Sequence, residues 1–315
     1  MFFSQAISGF LWSFHWNCMN SIEISCPAKT FVLGEYGVLD GGPAILINSA
    51  PRFACRISKN SRSSSSFDFP EKSPVGQWFK ENQRIFQNIS LDWFDPYKGK
   101  GGLGFSSAQF NILYAYSFLR KNGSLDQVKP LDLWKTYCSL DFEGQAPSGA
   151  DILSQWIGGV CLFEQNPLTV QSITSSLPDL ECVMIHTGVR IKTHEHLKQL
   201  KLPAISELTG LARVGVEAME QGREGGFIQI VNEYGEILKR MGFAIPEVQK
   251  IVQELKSLPE TQAVKGCGAL SAEVIILFYK KEDGESLKSK ISHLDIVSDS
   301  LQLTYGIEAH EQSTS

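Results

Sequence analysis

Apolar positions recur at every second residue in the N-terminal third of the chain. Residues 21–25 (Ser-Ile-Glu-Ile-Ser) alternate, Phe31-Val32-Leu33 and Ala44–Ile47 form short apolar runs, and residues 52–57 alternate again. This pattern predicts strands, with a turn around residues 26–30 and a second at Gly34–Gly42. The Ser-rich stretch 58–66 reads as a surface loop. From residue 76 the period lengthens. Residues 76–88 predict a helix, and Phe110, Leu113, Tyr114 and Phe118 are spaced for one helical face. Residues 130–139, 205–223, 226–241, 246–257 and 284–292 predict further helices, with Pro246 suited to a first turn. Gly144–Asp151 is a turn leading into a short helix, Gly158-Gly159 follows, and residues 160–163 and 181–186 predict strands. Thr193 is placed to cap a helix, and residues 264–271 read as a glycine turn before a strong strand. Strands interspersed with helices indicate α+β or α/β.

Composition narrows the class. The chain has 315 residues, of which 43% are apolar and 20% charged, a globular balance that suits two domains or one large one. The net charge of −5 disfavours a nucleic-acid partner. Seven cysteines (Cys18, Cys26, Cys55, Cys138, Cys161, Cys182, Cys267) are scattered without a C-x-x-C pair. That argues against a disulfide scaffold or zinc site and fits small buried thiols in a reducing cytoplasm. No run approaches the roughly 18 apolar residues of a membrane span. Residues 1–18 are aromatic-rich, without periodicity or a cleavage signature, and are expected to be an unstructured extension, with Met19 a candidate start.

Four segments carry candidate chemistry. Gly99–Ser107 is a glycine-rich loop before a helix, where backbone N–H groups and the helix N-terminus favour phosphate. It is neither a Walker A loop nor a dinucleotide fingerprint. Lys29, between Pro27 and Gly34, is either a solvated charge or a contact for a phosphate or acceptor oxygen. Asp151 begins an apolar helix, either as its N-cap or as a base. Residues 264–274 offer a second glycine turn, structural or anion-binding. His194 and His196 lie on different faces of a predicted helix and read as a surface pair.

The order of these segments resembles that of the GHMP kinases (galactokinase, homoserine, mevalonate and phosphomevalonate kinases). Motif 1, P-G-K-x-x-x-x-G-E-[HY]-x-V-[LV]-x-G-x-P-A, is similar to Pro27-Ala28-Lys29 with Gly34-Glu35-Tyr36 and, further on, Pro43-Ala44. Motif 2, G-x-G-L-G-S-S-A, is similar to Gly99–Ala108, with Phe105 where the first Ser is expected. An ungapped match puts Ser106 at the metal-ligating position, and a one-residue insertion would choose Ser107. P-S-G-x-D is matched by Pro147-Ser148-Gly149-Ala150-Asp151, and His186-Thr187-Gly188 with Thr193 resembles the family's T-G…T segment. Motif 3, G-[AS]-G-x-G-G, has become Gly266-Cys267-Gly268-Ala269-Leu270-Ser271, with two glycines lost. The similarity spans roughly residues 21–280.

The resemblance implies an α+β GHMP-kinase fold. Residues 19–192 would form an ATP-binding N-terminal domain like domain 2 of ribosomal protein S5, and residues 193–315 a ferredoxin-like C-terminal domain. ATP and Mg²⁺ would be the cofactors and a small alcohol the acceptor, with no nucleic acid or membrane partner and a homodimer left open. Asp151 and Lys29 would be catalytic. Lys100, Gly101, Gly102, Leu103, Gly104, Phe105, Ser106 and Ser107 would hold ATP, and Ser106 with Asp141 or Glu143 would hold Mg²⁺. Lys29, Glu35, Ser148, Gly149, Gly266 and Gly268 would face the acceptor. Lys29 follows the mevalonate and phosphomevalonate pattern rather than the galactokinase or homoserine kinase one. A phosphomevalonate site would need further basic groups, for which Arg52, Lys98, Lys100, Arg190 and Lys192 are available. The competing expectations are a non-catalytic or repurposed ligand-binding protein on the same fold, motivated by motif 3, and a GHMP kinase for another small alcohol.

Overall fold

The computed structural model describes residues 20–59, 69–141, 147–173, 177–189, 202–298 and 304–311. The N-terminal extension, the tip of the Ser-rich loop, Glu143, Arg190, Lys192, Thr193 and the His194/His196 pair lie outside these residues.

The predicted turn at 26–30 is not a turn. Residues Ser21–Leu33 form one strand, β1, whose register against the next strand shifts at Cys26/Ala28 and Phe31/Leu33. Pro27 lacks a backbone N–H to donate to a ladder. The strand absorbs it at the first of these irregularities and continues. The two predicted strands 44–47 and 52–57 are likewise one long strand, β2 (Ala44–Lys59), antiparallel to β1. The two halves of β2 take different partners. β3 (Ile89–Phe94) pairs with Ala54–Lys59, and β4 (Val160–Gln165) pairs with Ala44–Ile47. β5 (Leu168–Ile173) forms a hairpin with β4.

The second sheet is antiparallel in the order β7-β8-β6-β9, from β6 (Leu180–His186), β7 (Thr261–Cys267), β8 (Val274–Lys280) and β9 (Ile296–Ser298). β7 corrects the expected turn at 264–267. Ala263–Cys267 are buried and pair with β8, so the turn starts only at Gly268. Finally β10 (Glu308–Glu311) returns to the first sheet beside β1. Arg52 clasps it there. Its guanidinium donates to Ser25 Oγ (2.9 Å) and to the carbonyls of Ser25, Tyr305 and Gly306, and it pairs with Glu308 at 3.2 Å.

Most helices lie close to their expected places, but the one expected over 76–88 ends at Glu81 and is followed by a 3-10 turn, Gln83–Phe86. The helices are α1 (Pro74–Glu81), α2 (Phe105–Asn122), α3 (Pro130–Cys138), α4 (Ala150–Ile157), α5 (Leu202–Glu220), α6 (Glu224–Arg240), α7 (Pro246–Lys256) and α8 (Gly284–Ile291). α1 starts where Ser73 Oγ accepts from Gly76 N at 3.1 Å, and α2 ends at Gly123, which has a left-handed φ of 77°. The main core joins β1, β2 and α2 to α4, α5 and α6. A smaller one lies between the second sheet and α7 and α8, around Val248, Ile275, Leu277 and Leu287. Each such side chain contributes roughly 1.5–3 kcal/mol by leaving water. Six cysteines are described and all are free; burial pushes the thiols of Cys26 and Cys161 up to about 12. Among the described residues no helix is long and apolar enough to cross a membrane.

Glu260, buried at the start of β7, ties that strand to α8. Ser286 Oγ donates to its Oε1 at 2.6 Å, and Lys290 pairs with the same oxygen. The Lys290 hydrogen bond, and then that of Ser286, lower the Glu260 pKa to about 2. A depressed carboxylate pKa stabilises the fold above the unfolded value and loses that contribution as pH falls towards the folded value. Glu260→Gln is therefore expected to lower the denaturation midpoint near neutral pH. In urea titrations the gap from wild type should narrow as pH drops from about 5 to about 3. A gap independent of pH would contradict this assignment.

Candidate active site

The glycine-rich loop is built by one carboxylate. Asp95 accepts from Tyr97 N (2.8 Å) and Gly99 N (2.6 Å), folding residues 95–99 tightly before the loop runs on to α2. Leu103 is buried, and its carbonyl accepts from Lys29 N at 3.0 Å, which fastens the loop to β1. Gly104 packs against both β1 and Gln155. It has a φ of 85°, and a Cβ there would stand 2.9 Å from Lys29 Cγ and 3.1 Å from Gln155 Nε2. Gly104 is also the N-cap of α2, with no side chain capping the helix. The first-turn N–H groups and the positive end of the helix dipole therefore suit an anion.

The two serines divide. Ser106 is exposed, whereas Ser107 is buried and donates its hydroxyl to Gly104 O at 2.9 Å. Phe105 turns away from the loop to lie against Phe53 and Trp93, with ring centroids 5.1 and 6.2 Å apart. Only its main chain can serve a phosphate. Lys29 stretches its stem along Gly104 and holds its ammonium 4.9 Å from the centre of the Phe31 ring.

α4 closes the other side. Gln155 is fully buried and its amide nitrogen donates to Pro27 O (2.7 Å) and Gly104 O (3.1 Å). Asn111 of α2 donates to Ile152 O at 3.0 Å, locking the two helices together. The turn before α4 is held by α3, where Trp134 Nε1 donates to Ser148 O at 2.7 Å. Ser148 Oγ accepts from Ala150 N at 3.3 Å. Gly149, with a φ of 73°, is the N-cap of α4, because Trp134 Cδ1 would lie 2.6 Å from any Cβ there. Asp151 is thus a first-turn residue and not the cap. Its Oδ1 accepts from Ile152 N at 2.9 Å and the side chain is half-buried. It stands one helical turn before Gln155, on the same face. Its charge reaches α3, where burial and then Asp151 raise the Cys138 thiol to about 12.

Other expected site residues are engaged elsewhere. Lys100 pairs with Asp295 at 2.6 Å. Asp141 exchanges main-chain hydrogen bonds with the Gln77 amide on α1 (2.8 and 2.6 Å), and none of its hydrogen bonds joins it to Ser106. Glu35 is paired with Lys265 at 2.7 Å, with side chains 4% and 0% exposed. Of the basic groups proposed for a second phosphate, Arg52 clasps β10, and Lys98 has a φ of 54° in the loop. Gly266 is covered by the returning chain, since a Cβ there would collide with Ser271 O. Gly268 has a φ of 81° and open space around it, with Glu273 Oε2 at 3.9 Å. The two positions that lost glycine keep a left-handed backbone, at φ 53° for Leu270 and 51° for Ser271. That costs roughly 1–2 kcal/mol per residue.

The loop suits the phosphates of ATP in its uncapped helix, its glycines and Lys29. Among the described residues no group of three His, Cys, Asp or Glu side chains could hold a metal. Ser106 is the hard-oxygen donor that remains at the loop for Mg²⁺. Sequence reading missed four contributors. Gln155 was legible as the i+4 neighbour of Asp151. Lys265 and Asp295 depend on tertiary pairing. So does Glu273, which immediately precedes β8 and rests its carboxylate against Gly101 and its Cβ near Gly102.

No family model matches the sequence, and no curated protein matches it. Solved structures do. A Streptococcus pneumoniae phosphomevalonate kinase, in complex with phosphomevalonate and AMPPNP, aligns at TM-score 0.68 and 18% identity over 91% of this chain and 99% of its own. An L. major mevalonate kinase in complex with R-mevalonate gives 0.64 and 15%, over 92% and 96%. A Lactococcus lactis galactokinase complexed with galactose gives 0.70 and 10%, over 91% and 95%. Two antiparallel sheets and matches of this extent mean that the chain has the GHMP-kinase fold.

Proposed function

We propose that the chain is a cytoplasmic ATP-dependent kinase for a small alcohol, with mevalonate or 5-phosphomevalonate as the acceptor. The observation that carries this reading is the Gln155 amide, which bonds both Pro27 O and Gly104 O. It gathers motif 1, the glycine loop and the helix of Asp151 around one point, although they are far apart in sequence. The structural neighbours act on different acceptors, so the preference for the mevalonate branch rests on Lys29 and the motif 1 pattern.

Bound MgATP would supply the transferable phosphoryl group. The chain's part is positioning and charge. The main chain of residues 101–107 and the α2 N-terminus would cradle phosphate oxygens, and Ser106 would offer its hydroxyl to the metal. Lys29, its stem fixed by Gly104, would donate to the transferring oxygen and stabilise the acceptor alkoxide. Asp151 would orient the acceptor hydroxyl and take its proton on a carboxylate oxygen. A 5-phosphomevalonate acceptor would depend on Lys98, Arg190 or Lys192, because Arg52 and Lys100 are already paired.

One observation favours a second reading, a ligand-binding protein without turnover. Glu273 places negative charge on the loop that ATP would use. Turnover separates the two. MgATP at a hundredfold excess over Kd should stabilise the protein by about 2.7 kcal/mol in thermal melts. Among galactose, homoserine, mevalonate and 5-phosphomevalonate, phosphate transfer is expected only to one of the last two. A thermal shift without ATP turnover, on these four or on a wider panel of small alcohols, selects the second reading, and no shift with no transfer removes ATP altogether.

Asp151→Asn keeps the Ile152 contact but cannot take a proton. It is expected to lower kcat by about 10²-fold or more while the melting temperature stays near wild type. A loss within threefold would remove Asp151 from the chemistry. Glu273→Gln removes a like charge beside the phosphates, worth on the order of 1 kcal/mol at ~4 Å in water. Calorimetry should show MgATP binding about fivefold tighter. Weaker binding would instead assign this carboxylate to the metal.

A further inference from the structure

Leu270 and Ser271 adopt a backbone that side-chain-bearing residues avoid, and the structure contains a device that holds them there. The chain leaves β7 at Cys267, turns at Gly268 and curls through Leu270 and Ser271, with Ser271 N donating to Gly268 O at 3.0 Å. Within this curl the amide of Leu270 is bonded from outside. It donates to the hydroxyl of Tyr36 at 3.1 Å. Tyr36 is itself immobilised, buried and tilted against Phe243 with ring centroids 4.7 Å apart.

The neighbours of Tyr36 are fastened to the same region. Glu35 pairs with Lys265, two residues before the loop begins, and the Lys265 ammonium lies 5.5 Å from the centre of the Tyr234 ring. Gly34 N donates to the Tyr234 hydroxyl at 3.2 Å. Three consecutive residues of motif 1 are therefore fixed to β7, to the following loop and to α6. A single such bond would be ordinary packing. Three in a row leave the Tyr36 hydroxyl no freedom relative to the Leu270 amide.

We propose that Tyr36 is a positioning residue, held in place by the Glu35–Lys265 pair, that clamps residues 268–271 in their left-handed curl and so substitutes for the missing glycines of motif 3. The consequence for binding rests on the kinase reading above: the curl presents its main chain to the acceptor, so loosening it affects the acceptor and not ATP. The conformational claim is independent of that reading. Free energy that glycine would supply by permitting a positive φ is supplied here by a bond from another element.

The test uses Tyr36→Phe, Leu270→Gly and the double variant in the full chain. Tyr36→Phe keeps the ring and its packing but removes the acceptor oxygen. Hydrogen–deuterium exchange should be slow in wild type at position 271, whose amide bonds Gly268 O inside the curl, at least tenfold faster there in Tyr36→Phe, and slow again in Tyr36→Phe with Leu270→Gly. With turnover in hand, Tyr36→Phe should raise the acceptor KM at least fivefold and leave the ATP KM within twofold. Leu270→Gly should reverse that rise. Unchanged exchange in Tyr36→Phe, or fast exchange that glycine does not slow, overturns the clamp. If the protein transfers no phosphate at all, the kinase reading fails while the exchange comparison still decides this one. A KM change that falls equally on ATP would overturn the acceptor-side role.

Discussion

The candidate site depends on how closely Gly104 approaches β1 and α4. No Cβ fits between the Lys29 stem and the Gln155 amide, and the carbonyl at the same position accepts from that amide. Buried amides are costly when unpaired, on the order of 1–3 kcal/mol. Gln155 therefore fixes the spacing of the strand and the loop as well as joining them. Everything that follows in the loop, from the start of α2 to the outward-facing Ser106, inherits its position from this contact.

A second constraint works where motif 1 meets β7. Lys265 is wholly enclosed, and burial alone would discharge it. Desolvation pushes its pKa down, but the neighbouring Cys267 and Glu35 push it up by more, and the net direction is upward. The ion pair with Glu35 is the cause we assign, since burial keeps the Cys267 thiol protonated, with a pKa raised to about 11. Such a pair adds little net stability compared with apolar packing, but removing one partner is expensive. Its effect is to make the pairing of motif 1 with β7 specific.

The helices and most core positions were legible in the sequence because their periodicity reports burial directly. α6 and α7 begin and end within two residues of expectation. The strands were harder. β1 runs through a proline-containing stretch that reads as a turn and β2 through one that interrupts its apolar pattern, and only pairing along the whole ladder shows that each strand continues. β7 was mistaken for a turn because Gly266 is a strand residue whose missing side chain makes room for Ser271. Site residues separated in the same way. Lys29, Gly104 and Asp151 stand in recognisable local patterns. Glu273 and Asp295 act on the loop from remote segments, and one sequence has no means of showing such pairings. The loss of glycine at Leu270 and Ser271 suggested a changed backbone. The φ values show a left-handed backbone at both positions although neither is glycine.

β10 gives the fold a temporal character as well as a spatial one. It covers the outer edge of β1, and Arg52 secures it. On the ribosome β1 and β2 emerge long before residues 308–311. Between the two events the edge of β1 presents unpaired N–H and C=O groups, which are open to adventitious strand pairing. The sheet that carries Lys29 is thus sealed by a segment made long after the strand it covers, and chaperone demand should be concentrated in that interval.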